Sequence, residues 1–364
     1  MKITFDAKRA FNNKTGLGNY SRSVITSISS ILRDDQLFLA TPKLNANIFN
    51  ITKPNVKIIQ PNNFQNHYYW RTKGINRQLE KLKIDIYHGL SNEIPLQIKT
   101  KSIVTIHDLL FLKYPQFYNY IDRKIYTMKS RFACKNATKI IATSQETKKD
   151  IINYFKIDEK KIQVIYQSCN QVFINHSTSH NYTEFTTKEL NDPFILYVGS
   201  IEQRKNLIFL LKAINKIKDI KLICVGKKGQ YYQKVKEFIN NNQLNKKVKF
   251  LQIKNIEKLA HIYRHSRGLV YPSINEGFGI PIIEGMYSKI PVITSNKSIF
   301  KEVGGENSYY FQEDNLDSLI DQIKLIWYDS NARNQRIEKN FEYVHKFNEK
   351  KQASQIIKLY QEML

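Results

Sequence analysis

The chain has 364 residues, 41% of them hydrophobic and 12% aromatic, which is enough apolar material for about two globular cores. No run reaches the roughly 18–20 apolar residues of a bilayer span, which excludes a transmembrane helix. Lys and Arg number 57 against 32 Asp and Glu, a net charge of +25; this fits attraction to an acidic membrane face or a polynucleotide, and equally a compositional drift towards Lys, Asn and Ile.

Cys134, Cys169 and Cys224 are odd in number and far apart, so they fit neither a disulfide framework nor a zinc site. With no apolar leader at the start, they point to the reducing cytoplasm.

Lys2–Asp6 alternates like a strand. Thr15-Gly16-Leu17-Gly18-Asn19-Tyr20 reads as a loop, and Ser21–Leu32 as an amphipathic helix. Strand, G-x-G and helix make a layout that cradles phosphate, although the third glycine of the dinucleotide fingerprint is missing. Gln36–Ala40, Val56–Ile59 and Asp85–His88 read as further strands. Between the last two, residues 63–82 are basic and aromatic, with His67, Tyr68, Tyr69, Trp70, Arg71 and Lys73. The stretch is either an interfacial face or a solvated helix with one packed side. Ser102–Ile106 is a strand followed at once by His107-Asp108, and open α/β sheets bind ligands at such carboxyl ends. Tyr114–Lys135 is a second basic and aromatic helix. Lys139–Ser144 is a strand whose last residue caps a helix, Gln145–Phe155, and Ile162–Tyr166 follows.

Phe173–Asp192 is polar, has no apolar period and reads as a linker. Phe194–Val198 is a strand, then come Glu202-Gln203-Arg204-Lys205-Asn206 and a helix, Leu207–Ile217. Lys221–Val225, Val248–Leu251, Gly268–Tyr271 and Pro291–Thr294 are further strands, and Leu316–Leu364 is helical. The densest stretch is Tyr271–Ser288, Y-P-S-I-N-E-G-F-G-I-P-I-I-E-G-M-Y-S. It reads as strand end, glycine loop and helix. Gly277-Phe278-Gly279 lets a ligand approach the backbone, and Pro281 suits a first helical turn. Glu284, one turn into the helix, can accept hydrogen bonds from a ribose diol, while Glu276 in the loop lies nearer whatever extends beyond the phosphates. Ser295 and Glu302–Gly305 are expected to border the nucleotide.

The string E-G-F-G-I-P-I-I-E-G-M resembles the Glu-x7-Glu motif of retaining GT-B glycosyltransferases, family 4 (glycosyl transferases group 1). G-L-G-N-Y, T-I-H-D-L and G-x-x-x-x-R-K-N resemble other motifs of that family, and the likeness spans essentially the whole chain. It implies an α/β GT-B fold, two Rossmann-like domains facing across a cleft: residues 1–175 on the acceptor side, a linker at 176–192, a nucleotide-sugar domain at 193–345, and a last helix, 346–364, returning to the first domain. It implies that Gly16, Gly18, Arg204 and Lys205 meet the donor diphosphate, that Gly277, Phe278, Gly279 and Glu284 complete the donor site, and that His107 and Glu276 contact the transferred sugar. Two fixed cations can stabilise a departing nucleotide diphosphate, so no metal and no cofactor are expected. The implied reaction moves a hexose from GDP-mannose or a UDP-sugar to a glycan or lipid-linked acceptor hydroxyl, in surface polysaccharide synthesis. The Y-H-G-L-S-N-E-I-P string leans the donor towards mannose. The protein is expected in the cytoplasm, peripheral on an anionic membrane surface. The alternatives are an epimerase or phosphorylase on the same fold and a basic nucleic-acid-binding protein, though the chain has no recognisable nucleic-acid-binding motif.

Overall fold

The computed structural model describes residues 1–62, 66–175, 192–329 and 331–364. They form two compact units, Met1–Ser168 with Phe347–Leu364, and Cys169–Lys346. The chain therefore leaves the first unit at Ser168 rather than at 175, because the short helix Gln171–Ile174 buries Phe173 against Tyr263 of the second unit. Most of the expected linker, 176–191, lies outside the described residues.

The first unit holds a seven-stranded sheet: β1 (Lys2–Asp6), β2 (Gln36–Ala40), β3 (Val56–Ile59), β4 (Ile86–Gly89), β5 (Lys101–Ile106), β6 (Lys139–Ala142) and β7 (Ile162–Val164). Their order is β3-β2-β1-β4-β5-β6-β7, every pair parallel. The second unit holds six: β8 (Phe194–Val198), β9 (Lys221–Val225), β10 (Val248–Leu251), β11 (Gly268–Tyr271), β12 (Val292–Ser295) and β13 (Tyr309–Phe311), in the order β10-β9-β8-β11-β12-β13, again all parallel. Each sheet reverses its order once, between β1 and β4 and between β8 and β11. At such a switch point neighbouring loops diverge and leave a crevice outside the carboxyl ends.

The central strands are buried on both faces, as strands covered on both sides are. In the helix Leu207–Lys216, Leu207, Leu210, Leu211 and Ile214 fall on one stripe and pack with Tyr197, Leu222 and Cys224. The last helix, Glu349–Met363, sets Ile356, Ile357, Tyr360 and Met363 against Ile3, Phe5, Ile25 and Ile28, so the chain's end completes the first unit's core.

Several elements depart from expectation. A short helix, Lys8–Asn12, follows β1 directly, and the next helix begins at Gly16 rather than Ser21. Gly16 and Gly18 therefore sit in a first helical turn, not in a loop. The tail from Leu316 is three helices, and β13 is an additional strand. Among the described residues no helix is long and apolar enough to cross a membrane.

Candidate active site

The second-unit residues are carried by the loops after β8 and β11, which pair side by side at the switch point. After β8 a tight turn, Gln203–Lys205, leads to Asn206 at φ 56°, and the helix Leu207–Lys216 starts there. Asparagine tolerates that left-handed region better than most residues. After β11 the chain passes Ser273 and Glu276 to Gly279, whose φ of 123° only glycine holds without strain. It then enters the helix Ile280–Tyr287 with Pro281 in the first turn. The Ile274 amide donates to the Arg204 carbonyl at 2.9 Å and so ties one loop to the other.

Glu276 lies where the loops meet. Its Oε2 is 2.8 Å from Arg204 Nη1 and its Oε1 is 2.6 Å from Lys205 Nζ. The Ser273 hydroxyl donates to the same carboxylate, and Lys205 also donates to the Tyr271 hydroxyl at 3.0 Å. Arg204, Lys205 and Glu276 are only 15%, 13% and 12% exposed, so water screens them little. Burial alone raises a carboxyl's pKa. Here Lys205, Arg204 and the hydrogen bonds outweigh it and hold Glu276 at about 2. Sequence reasoning gave the cations to a diphosphate and Glu276 to a sugar as separate tasks; the structure joins them in one cluster with an excess positive charge.

Glu284 is also buried but has no ion pair among the described residues. It accepts a hydrogen bond from the Tyr263 hydroxyl at 2.8 Å. Burial pushes its pKa up to about 7, against the pull of that hydrogen bond. Phe278 is buried between Gly277 and Gly279 and anchors the loop. Ser295 ends β12 buried, its hydroxyl unpartnered among the described residues, whereas Glu302–Gly304 close the helix Ser298–Gly304.

In the first unit His107 follows β5. Its Nε2 is 2.9 Å from the Leu90 carbonyl, which can only accept, so that nitrogen carries the proton. Burial holds its pKa near 4 despite the Leu90 hydrogen bond, and Arg9 lowers it further. The ring is thus neutral, with its lone pair on Nδ1, able to accept a hydrogen bond from a hydroxyl. The Tyr20 ring meets it edge-on at 4.6 Å. Gly18 is required sterically, since a Cβ there would lie 1.9 Å from the Asn13 carbonyl oxygen; Gly16 faces open space.

Tyr271, Ser273 and Tyr263 were not singled out in the sequence. An aromatic residue ending a buried strand reads as core, and a lone serine carries no spacing signal.

Two family models match the chain: "Glycosyltransferase Family 4" over residues 30–170 and "Glycosyl transferases group 1" over residues 178–343. The O-antigen chain mannosyltransferase RfbU of Salmonella typhimurium is 27% identical over 86% of this chain and 87% of its own length. Among solved structures, sucrose-phosphate synthase from Thermosynechococcus elongatus superposes with a TM-score of 0.81 at 18% identity, over 100% of this chain and 99% of that one. Anabaena HepE in complex with UDP-glucose does so with a TM-score of 0.76 at 16% identity, over 100% of both chains. With both halves matched and both parallel sheets in place, the chain belongs to the family 4, group 1 glycosyltransferases and has the GT-B fold.

Proposed function

We propose that this glycosyltransferase moves mannose from GDP-mannose to a hydroxyl of a lipid-linked surface glycan, with retention at the anomeric carbon. The observation that carries the reading is the Arg204–Lys205–Glu276 cluster at the second sheet's switch point. The likeness to an O-antigen mannosyltransferase supports the sugar and the acceptor class. When the bond from the anomeric carbon to phosphate breaks, a nucleotide diphosphate leaves with added negative charge. Arg204 and Lys205 are fixed donors for that charge, so the step needs no metal. Glu284, when ionised, accepts from the ribose hydroxyls.

A carboxylate held between two cations with a pKa near 2 is a weak nucleophile. That favours a front-face route over a covalent glycosyl–Glu276 intermediate. The acceptor oxygen bonds to the anomeric carbon on the face the phosphate leaves, and the acceptor proton passes to the departing phosphate oxygen. Glu276 then orients sugar hydroxyls, and in the first unit His107 Nδ1 is an acceptor for a substrate hydroxyl. The acceptor is carried at the cytoplasmic face of an anionic membrane, a role supported by the exposed apolar and basic face of the helix Tyr120–Asn136.

The test is donor turnover. Purified protein is given GDP-mannose, UDP-glucose and UDP-galactose, and released nucleotide is measured with an alkyl mannoside acceptor. GDP release from GDP-mannose at least 10-fold faster than UDP release is expected, with a Glu276→Gln loss of about 10²-fold or more, the scale of a lost preorganised polar contact. Preference for a UDP-sugar would reject mannose, and no turnover with any of the three would reject the reading.

A further inference from the structure

The first sheet has a switch point of its own, between β1 and β4, and charge gathers there. Asp6 at the end of β1 takes the Arg71 guanidinium, Nη2 to Oδ2 at 2.6 Å. The same guanidinium engages Glu93, which follows β4, and Lys129 approaches Glu93 at 3.4 Å. Both carboxylates are therefore occupied.

Lys8 and Arg9, on the short helix leaving β1, have no carboxylate partner among the described residues. Both are half-buried. Burial first, then the charge of Arg71, hold the Lys8 pKa below its ordinary value, with Arg9 adding to this and Glu93 and Asp6 opposing it. The Arg9 Nε is buried with no hydrogen-bond partner among the described residues. Arg9 also depresses the pKa of His107, which sets its charge near that imidazole. Two half-buried like charges beside a satisfied ion-pair cluster are costly in the empty protein, and an anion with several acceptor oxygens removes that cost.

We propose that Lys8 and Arg9 form a phosphate-binding subsite beside His107 in the first unit, occupied by a phosphoryl group of a substrate. The guanidinium offers a planar fork and the ammonium a point charge, a pairing suited to one phosphate. The bearer is either a lipid diphosphate on the acceptor or the donor's own diphosphate. The assignment of bearer, unlike the subsite, rests on the glycosyl-transfer reading.

Inorganic pyrophosphate is titrated calorimetrically into the full-length chain carrying Arg204→Ala and Lys205→Ala, with and without Lys8→Ala and Arg9→Ala. The first-unit pair should weaken the residual binding at least 10-fold. Without ligand, the melting temperature should stay level or rise, because the lost charges had no partner; Lys8→Gln with Arg9→Gln repeats the test should the alanine pair fail to fold. Unchanged pyrophosphate affinity overturns the subsite. Kinetics then assign the bearer in the otherwise native chain. A raised KM for a sugar linked to an alkyl diphosphate, but not for an alkyl mannoside, assigns the acceptor, and a raised KM for the nucleotide sugar assigns the donor. If every KM stays put, no substrate phosphate is held there and the proposal fails. If the chain turns over no donor at all, the calorimetry still decides the subsite.

Discussion

Two glutamates in one motif are driven to opposite protonation behaviour by their surroundings. Glu276 is pinned as a carboxylate by Lys205 and Arg204, so nothing that depends on it should titrate between pH 4 and 9. His107, near 4, is neutral from about pH 5 upward. Glu284 is different, because burial raises its pKa from an ordinary 4.5 to about 7. Between those values the native state binds more protons than the unfolded chain, so stability falls as pH rises. The contribution is fully present below about 4.5 and is lost as pH rises through about 7, on the order of 3 kcal/mol for a shift of that size. Glu284→Gln should therefore melt higher than wild type at pH 8 and close to it at pH 4.5. The same variant should bind nucleoside diphosphate about 10- to 100-fold more weakly at pH 8, the worth of hydrogen bonds to a charged acceptor. Wild-type affinity should climb as pH rises to about 7 and then level. A Glu284→Gln protein with unchanged melting at pH 8, or unchanged nucleotide affinity, would remove the buried-carboxylate account or the ribose role respectively.

At the scale of elements, the glycines separate structure from chemistry. A Cβ on Gly226, just after β9, would lie 1.8 Å from the Gly199 carbonyl oxygen, backbone against side chain with nothing flexible to yield. Gly199 opens the loop that carries Arg204 and Lys205, and its amide donates to Val225 at 3.0 Å. Gly226→Ala should cost about 2 kcal/mol or more and move that loop, lowering both melting temperature and nucleotide affinity. Gly16→Ala meets open space in a first helical turn, so its melting temperature should hold or rise. A fall in donor affinity in that stable variant would tie Gly16 to the phosphate, and a fall in stability would refute the geometry. What the sequence revealed follows the same division. Helices with a clear apolar stripe, such as Leu207–Lys216, and apolar strands such as β8 and β11 were readable because burial dictates their residue types. The helix start at Gly16 was not, since glycines before a helix look like a loop until the Asn13 carbonyl is seen to occupy the place of a Gly18 Cβ. β13, only three residues long, offers too little period. The candidate site residues were readable as types at strand ends. The Lys205–Glu276 contact joins residues 71 apart, however, and no local pattern encodes it. Tyr263 and the buried rise in the Glu284 pKa were hidden for the same reason.

For the whole molecule the question is whether +25 charges act together at one place or are spread without purpose. If the proposed membrane role is right, the helix Tyr120–Asn136 is such a place. Its buried residues, Ser130, Ala133 and Cys134, all fall near its end. Earlier, Ile121 and Met128 are 66% and 64% exposed, and with Ile125 they form a stripe at helical spacing. Arg123 and Lys124 flank it, both lying over the Tyr120 ring, and Tyr68 adds an exposed aromatic reached by Lys129. Apolar surface left in water beside cations is what the interface of an anionic bilayer accommodates: side chains enter the headgroup boundary while lysine and arginine meet lipid phosphate. Vesicles containing a third anionic lipid should therefore sediment the protein, vesicles of neutral lipid should not, and raising the salt should release it. With about 1 kcal/mol for each cation at the surface, Arg123→Ala with Lys124→Ala should weaken binding about 30-fold. Ile125→Glu with Met128→Glu should weaken it further by removing the apolar contribution. The control is Lys234→Ala with Lys236→Ala, exposed cations on the helix Tyr232–Asn241 of the second unit. If that pair costs as much as Arg123 and Lys124, binding follows total charge alone, and the helix Tyr120–Asn136 has no special part in it.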